Sequence, residues 1–274
     1  MNNTAKSLGK NISLSSGEYQ DFKNELVRLI EFKEAALLED RLIAGAVWID
    51  ILVDFIGAMA PSVEHGKTNR NEVLSTFFTT MTNQQYARPL GIAQKTVPKG
   101  AIKRLFLSLL IAFRTSPETK RSNIHTLFFI LSRYAKAFFK TGKIRLLPHG
   151  MEFPFSALKK ISFNYDEKTE EIIREWVIKY IREDKLLEKN NIKSGYIYLL
   201  LQYSIMKWYA VSLAWESDKK QADFTEVEKA ISLVDQYYMF HPELDILFKN
   251  NPVLADIMAK VLSRKTAPMI LVRS

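Results

Sequence analysis

The run Ser-Gly-Tyr-Ile-Tyr-Leu-Leu-Leu-Gln-Tyr-Ser-Ile-Met-Lys-Trp-Tyr-Ala-Val-Ser-Leu-Ala-Trp-Glu, from Ser194 to Glu216, constrains this chain more than any other stretch. It reads as a helix whose apolar side chains point in nearly every direction, so other elements must cover it on several sides. The expected fold is therefore all-α: a multi-helix globular bundle organised around a buried central helix at about 194–216. The segment Tyr196 to Trp215 has the roughly 20 residues that a bilayer requires, but Gln202 and Lys207 lie mid-segment, where a charge costs at least a few kcal/mol. A buried helix in a soluble domain is preferred to a membrane span, and no integral membrane insertion is expected. The mildly hydrophilic composition leaves a peripheral contact open.

At 274 residues and 47% hydrophobic content, the chain can bury a core that needs no staple. It has no cysteine, which excludes disulfides, thiolate metal sites, iron–sulfur clusters and cysteine nucleophiles, and fits a reducing compartment. The N-terminal decapeptide is polar and lacks the apolar core of a secretory signal, so a cytoplasmic location is expected.

The net charge of +9 is regional. Between Lys99 and Arg145 eleven basic residues face a single acid, Glu118, an excess of +10 that leaves the remainder close to balanced. Such a stretch implies an acidic partner.

Taken in order, residues 1–15 read as a flexible tail. Ser15-Ser16-Gly17-Glu18 supplies a hydroxyl cap and a nearby glutamate for a helix start. A 3.6-residue apolar pattern then runs to Ala60, with a break at Asp40-Arg41 that predicts two helices. Asp50 and Asp54 share a face, but Glu-x-x-His motifs do not accompany them, so a solvated face is preferred to a metal site. Pro61 to Asn71 reads as a loop. Its Gly66-Lys67-Thr68 resembles the end of a phosphate loop without the upstream glycine. A helix from Glu72 to about Arg88 follows, with Pro89, Gly91, Pro98 and Gly100 punctuating the connection to a buried helix at 101–115.

The segment from Lys120 to Phe139 reads as a basic amphipathic helix. Leu127, Leu131, Tyr134, Ala135 and Phe138 form its inward side, and Arg133, Lys136 and Lys140 lie on another face. Residues 141–166 form an aromatic-rich, packed-down loop. This divides the chain into an N-terminal helical subdomain at 16–145 and a C-terminal one at 146–274. Asp166 or Thr169 caps a helix to about Glu188, Asp223 caps another, and the apolar run in Ala267–Ser274 docks on the body. Within the central helix, Lys207 is expected to snorkel to the surface or meet a carboxylate such as Asp235 or Glu226.

The residues Gln202-Tyr203-Ser204-Ile205-Met206-Lys207, then Phe224-Thr225-Glu226-Val227, then His241, with the preceding helix Trp176 to Leu186, resemble the C-terminal helical part of the flagellin lysine N-methylase family over about 170–248. That family is cysteine-rich in its N-terminal part and this chain has no cysteine, so the resemblance implies the helical scaffold and not methyl transfer. Met81-Thr82-Asn83-Gln84-Gln85-Tyr86-Ala87-Arg88 with Leu105-Phe106 is similar to the cytoplasmic helical domain of the DotM-type subunit of type IVB secretion coupling complexes. That similarity implies basic surface presented to acidic signals, here without a membrane-spanning N-terminus. Both resemblances imply a bacterial protein.

The preferred function is a non-enzymatic cytoplasmic adaptor whose basic helical face engages an acidic protein or nucleic acid. Its candidate binding residues are Lys120, Arg121, Arg133, Lys136, Lys140, Lys143 and Arg145. No cofactor or metal is expected. The enzymatic alternative rests on His125 and His149 as proton-transfer groups. A third alternative is an assembly subunit, oligomerising or binding through the loop around Phe153 and Phe155.

Overall fold

The computed structural model describes residues 6–9, 12–32, 37–64, 69–80, 83–95, 131, 132, 135, 139, 142–144, 151–154, 156, 160–188, 191–239, 256, 260, 262 and 266–273. The fold is all-α and multi-helical. Strands contribute three two-stranded ladders among the described residues. The chain forms two compact units, Met1–Val97 with Arg174–Leu200, and Pro98–Ile173 with Leu201–Ser274.

In the first unit, β1 (Lys6–Gly9) and β2 (Ile12–Leu14) pair antiparallel, with Lys6 opposite Leu14. Helix α1 (Ser16–Glu31) starts at the expected capping box. Ser15 Oγ accepts from the Glu18 backbone N–H at 3.3 Å, and the Glu18 carboxylate accepts from the Ser15 N–H at 2.6 Å. Two of the free N–H groups of the first turn are thereby satisfied. The same carboxylate meets Arg70 at 3.2 Å.

Two helices do occupy the long apolar stretch, but the second, α2 (Leu38–Glu64), begins before Asp40-Arg41 rather than at it. Arg41 is buried and donates from Nη1 to the Ile30 carbonyl at 2.6 Å. It thus satisfies a carbonyl at the end of α1 that the helix itself leaves unpaired. Arg41, half of a polar pair that looked like a break, is a tertiary cap.

Helix α2 also runs through Pro61, four residues into the predicted loop, and α3 spans Arg70–Thr80. The predicted 72–88 helix is two helices, with α4 at Asn83–Lys95. Pro89 and Gly91, expected to punctuate, lie inside α4. Tyr86, Pro89, Leu90 and Ala93 are buried at helical spacing along it, and α4 packs on α2. Burial of that face outweighs the hydrogen bond that proline removes.

Trp48 of α2 is fully buried between Phe22 and Phe78, with ring centroids at 5.2 and 6.3 Å. Helix α5 (Glu167–Arg182) ends earlier than the predicted Glu188. Asp184 adopts a left-handed conformation, φ 61°, which no continuing helix allows. Its carboxylate accepts from the Lys23 ammonium at 2.6 Å. A short 3₁₀ turn, Lys185–Leu187, precedes the central helix α6 (Ile192–Glu216).

Asn191 begins α6, its side-chain oxygen accepting from the Ser194 N–H at 2.8 Å. Along all 25 residues only Ser194 is exposed, as expected of a helix that is apolar all round. Tyr196 donates to the Leu42 carbonyl at 2.9 Å, and burial pushes its phenol far above the ordinary range. Gly45 faces that phenol so closely that a Cβ there would lie 2.2 Å from the hydroxyl oxygen. Among the described residues, only α2, over Leu38–Met59, is long and apolar enough to cross a membrane, and 56% of that window is buried inside the protein.

In the second unit, β3 (Lys143–Ile144) pairs antiparallel with β4 (Phe153–Pro154), and β5 (Ser162–Phe163) pairs parallel with β6 (Gln221–Ala222). Asp166 caps α5, accepting from the Thr169 N–H at 2.8 Å. That hydrogen bond holds its carboxyl below the ordinary carboxylate range. Helix α7 (Phe224–Val234) opens with a second capping box, Asp223 with Glu226, and continues into a π turn, Asp235–Met239. The terminal apolar run forms α8 (Ala267–Val272), buried along its length.

Lys219 donates to Asp223 at 3.0 Å and to Glu226 at 2.9 Å. Hydrogen bonding with Glu226, then with Lys219, holds the Asp223 carboxyl low, and the hydrogen bonds of Lys219 to Glu226, then to Asp223, raise the ammonium. The carboxylate contribution to stability is present above the unfolded value of about 3.9 and is lost as pH falls through the lower folded value. The lysine contribution is present below about 10.4 and is lost as pH rises through its higher folded value. Asp223→Asn keeps a good helix cap but removes the charge. It is therefore expected to flatten the loss of unfolding free energy on the acid side, read by urea denaturation at neutral pH and at about pH 3. An acid slope equal to that of the unsubstituted protein would exclude this assignment.

Candidate interface for an anionic partner

Of the seven candidate binding residues, Lys143 is described. Lys120, Arg121, Arg133, Lys136, Lys140 and Arg145 lie outside the described residues, as do His65, His125, His149, His241 and Phe155. Lys143 sits in β3 opposite Pro154 and is exposed. The residue before it, Gly142, has φ 83°, a conformation open to glycine at little cost. It turns the chain into the strand and leaves the lysine stem directed to solvent.

Upstream, residues 131, 132, 135 and 139 are helical and all exposed. This corrects the predicted inward side at Leu131 and Ala135, while Leu127, Tyr134 and Phe138 lie outside the described residues. Leu131 is 52% exposed, and Ala135 is exposed one turn on. Phe139 is 68% exposed. The apolar arc of this segment is broad, and periodicity does not say which part of a broad arc a neighbour covers.

Among the described residues of the aromatic loop, burial varies. Phe163 and Tyr165 are half-buried with ring centroids 4.7 Å apart, whereas Met151 is 57% exposed. The Met151 backbone N–H donates to the Glu216 carboxylate at 2.7 Å, tying that position to the end of α6. Its thioether is thus displayed from an anchored backbone.

Lys207, expected to snorkel to the surface or to meet a carboxylate, is half-buried. Glu226 is engaged by Lys219 and by its own capping box. The Lys207 ammonium instead donates to the Val272 carbonyl at 3.0 Å, at the end of α8. It lies 5.7–5.9 Å from the ring centroids of Phe163, Tyr165 and Tyr203. Tyr165 and Tyr203 share a hydrogen bond of 2.6 Å. A helix C-terminus attracts a cation, and ring faces stabilise one that is partly desolvated. This cluster therefore anchors the terminal helix, and its ammonium is directed to the protein's own carbonyl.

In the first unit a cleft of about 560 Å³ lies beside α5, lined by Glu31, Arg174, Glu175, Lys179 and Arg182 among others. Its cations face its own acids: Arg182 meets Glu31 at 3.8 Å and Lys179 meets Glu183 at 4.0 Å. Asp50 pairs with Lys193, and Asp54 is exposed. Among the described residues no three His, Asp or Glu side chains gather as a metal would require.

The exposed apolar positions at 131, 139 and 151 were missed by the sequence reading. The signal available was an apolar arc too wide for one neighbour to cover, and nothing local marks its outer edge. Comparison with family models, with curated proteins and with solved structures finds no match. The class defined is an all-α, multi-helix protein.

Proposed function

We propose that this chain is a binding module that engages an anionic partner through the stretch 99–145. The observation that supports this reading is exposure: every position of that stretch whose burial is described, 131, 132, 135, 139, 142 and 143, faces solvent. A segment with eleven cations and one acid, turned outward at those positions, raises the local concentration of polyanions and steers their approach.

Binding of the full chain to heparin, followed across a salt series, tests the proposal. Affinity is expected to fall at least about tenfold over a few-fold rise in salt. Lys136→Glu with Lys140→Glu is expected to weaken binding by more than about tenfold at low salt. Retention that is insensitive to both salt and the charge reversal would overturn the reading.

A further inference from the structure

We propose that α8 is a terminal strap that opens as a unit, and that the Lys207 ammonium is the clasp that holds it closed. The device is independent of the anionic-partner reading, and every residue it uses belongs to the second unit.

A very short helix does not sustain itself in water, because nucleating a turn fixes several residues for one hydrogen bond. Helix α8 has six residues, and Thr266 gives its first turn no side-chain cap. Pro268 has no backbone N–H to contribute. What holds the helix is tertiary, since Ala267 to Val272 are all buried. Ordering the segment opposes that burial with conformational entropy of the same order. A contact at the end of the helix therefore tips the balance.

That contact runs from Lys207 to the Val272 carbonyl at 3.0 Å. The last carbonyls of a helix lack partners within it and form its negative end, so a cationic donor stabilises them most. The surround of the ammonium is assembled without α8. Tyr203 precedes Lys207 by four positions on α6, which puts both on one face. The segment that carries Phe163 and Tyr165 is fixed by backbone hydrogen bonds, Ser162 N–H to Lys220 O at 3.0 Å and Asn164 N–H to Ala222 O at 2.9 Å. The 2.6 Å hydrogen bond between Tyr165 and Tyr203 joins the two. Three rings with centroids at 5.7–5.9 Å thus hold a cation in place, and α8 supplies an oxygen to it. Opening the strap exposes the apolar side chains of Met269, Ile270, Leu271 and Val272.

Amide hydrogen exchange of the full chain across a series of low urea concentrations tests the proposal. The reporters are the Ile270 and Arg273 N–H groups, which donate to Thr266 O and Met269 O. Corrected for intrinsic rates, they are expected to exchange at least about tenfold faster than the amides of α7, with little dependence on urea, the mark of local opening. Lys207→Met keeps an apolar stem and removes the charge. It should speed exchange at both reporters by more than about tenfold while α7 stays within about twofold. Lys207→Arg keeps the charge and should stay closer to the parent than to the methionine variant.

Reporter exchange in the unsubstituted protein that follows urea as steeply as α7 shows that α8 opens only with the whole unit. That result overturns the strap, whether or not the variants fold. Unchanged exchange in Lys207→Met, or equal acceleration in Lys207→Met and Lys207→Arg, overturns the clasp. Acceleration that spreads equally to α7 assigns Lys207 to the stability of the whole unit and likewise overturns it.

Discussion

Gly195→Ala is expected to lower the unfolding free energy by about 3 kcal/mol or more. A Cβ on Gly195 would lie 2.1 Å from the Leu186 carbonyl oxygen and 2.7 Å from that residue's Cα and carbonyl carbon. These are backbone atoms, and a small rotamer change cannot move them. The turn that carries them is tied at both ends: Leu187 N–H donates to Asp184 O at 2.9 Å, and Glu188 N–H to Lys185 O at 3.2 Å. Leu186 itself is fully buried. Admitting a methyl group requires the turn to shift as a unit against α6, and overpacking that displaces backbone lies at or beyond the upper end of the usual 1–3 kcal/mol.

The control is Gly91→Ala, inside α4, where a Cβ meets nothing within 4 Å. That change is expected to stabilise by about 0.5–1 kcal/mol through helix propensity. Urea denaturation of both variants decides the matter. A Gly195→Ala protein within about 1 kcal/mol of the parent would show that the close approach is not required.

Trp48→Ala is the second large effect, expected at about 3–5 kcal/mol. The indole is fully buried, with Phe22 and Phe78 beside it, and its removal leaves a cavity bounded by α1, α2 and α3. Trp48→Phe should cost less than half as much. It keeps a ring against Phe22, and it deletes an indole N–H that finds no hydrogen-bond partner among the described residues, so no donor is newly orphaned. Denaturation measurements giving the two variants equal losses would exclude aromatic packing as the source.

Several features were legible in the sequence because they depend on neighbours a few residues away. The capping boxes Ser15/Glu18 and Asp223/Glu226 are local hydrogen-bond exchanges, and their spacing specifies them directly. The apolar girth of 194–216 likewise demands cover whatever supplies it. The corrections share a different cause. Asp40-Arg41 looked like a break because a buried arginine is rare, and the carbonyl that stabilises Arg41 belongs to the preceding helix. Pro89 looked like an end because proline disfavours helix interiors, and packing on α2 outweighs that preference. Lys207 donates to the Val272 carbonyl, an acceptor from the far end of the chain that no local pattern names.

The candidate interface divides in the same way. Its charge was evident from eleven basic residues against one acid. Its apolar side was misassigned at two positions: Leu131 and Ala135 fit an inward face by period, yet both are exposed.

By itself, then, the sequence determined the all-α class, the burial of α6, the starts of α1 and α7, and the regional charge, since each follows from local periodicity or composition. The tertiary structure alone decided that α2 and α4 continue through their prolines, that one ammonium closes the end of α8, and that two units are assembled from discontinuous segments. It also decided that Leu131 and Ala135 stay in solvent. A helical period states that a face needs cover, and only the long-range meeting of surfaces states whether cover is found.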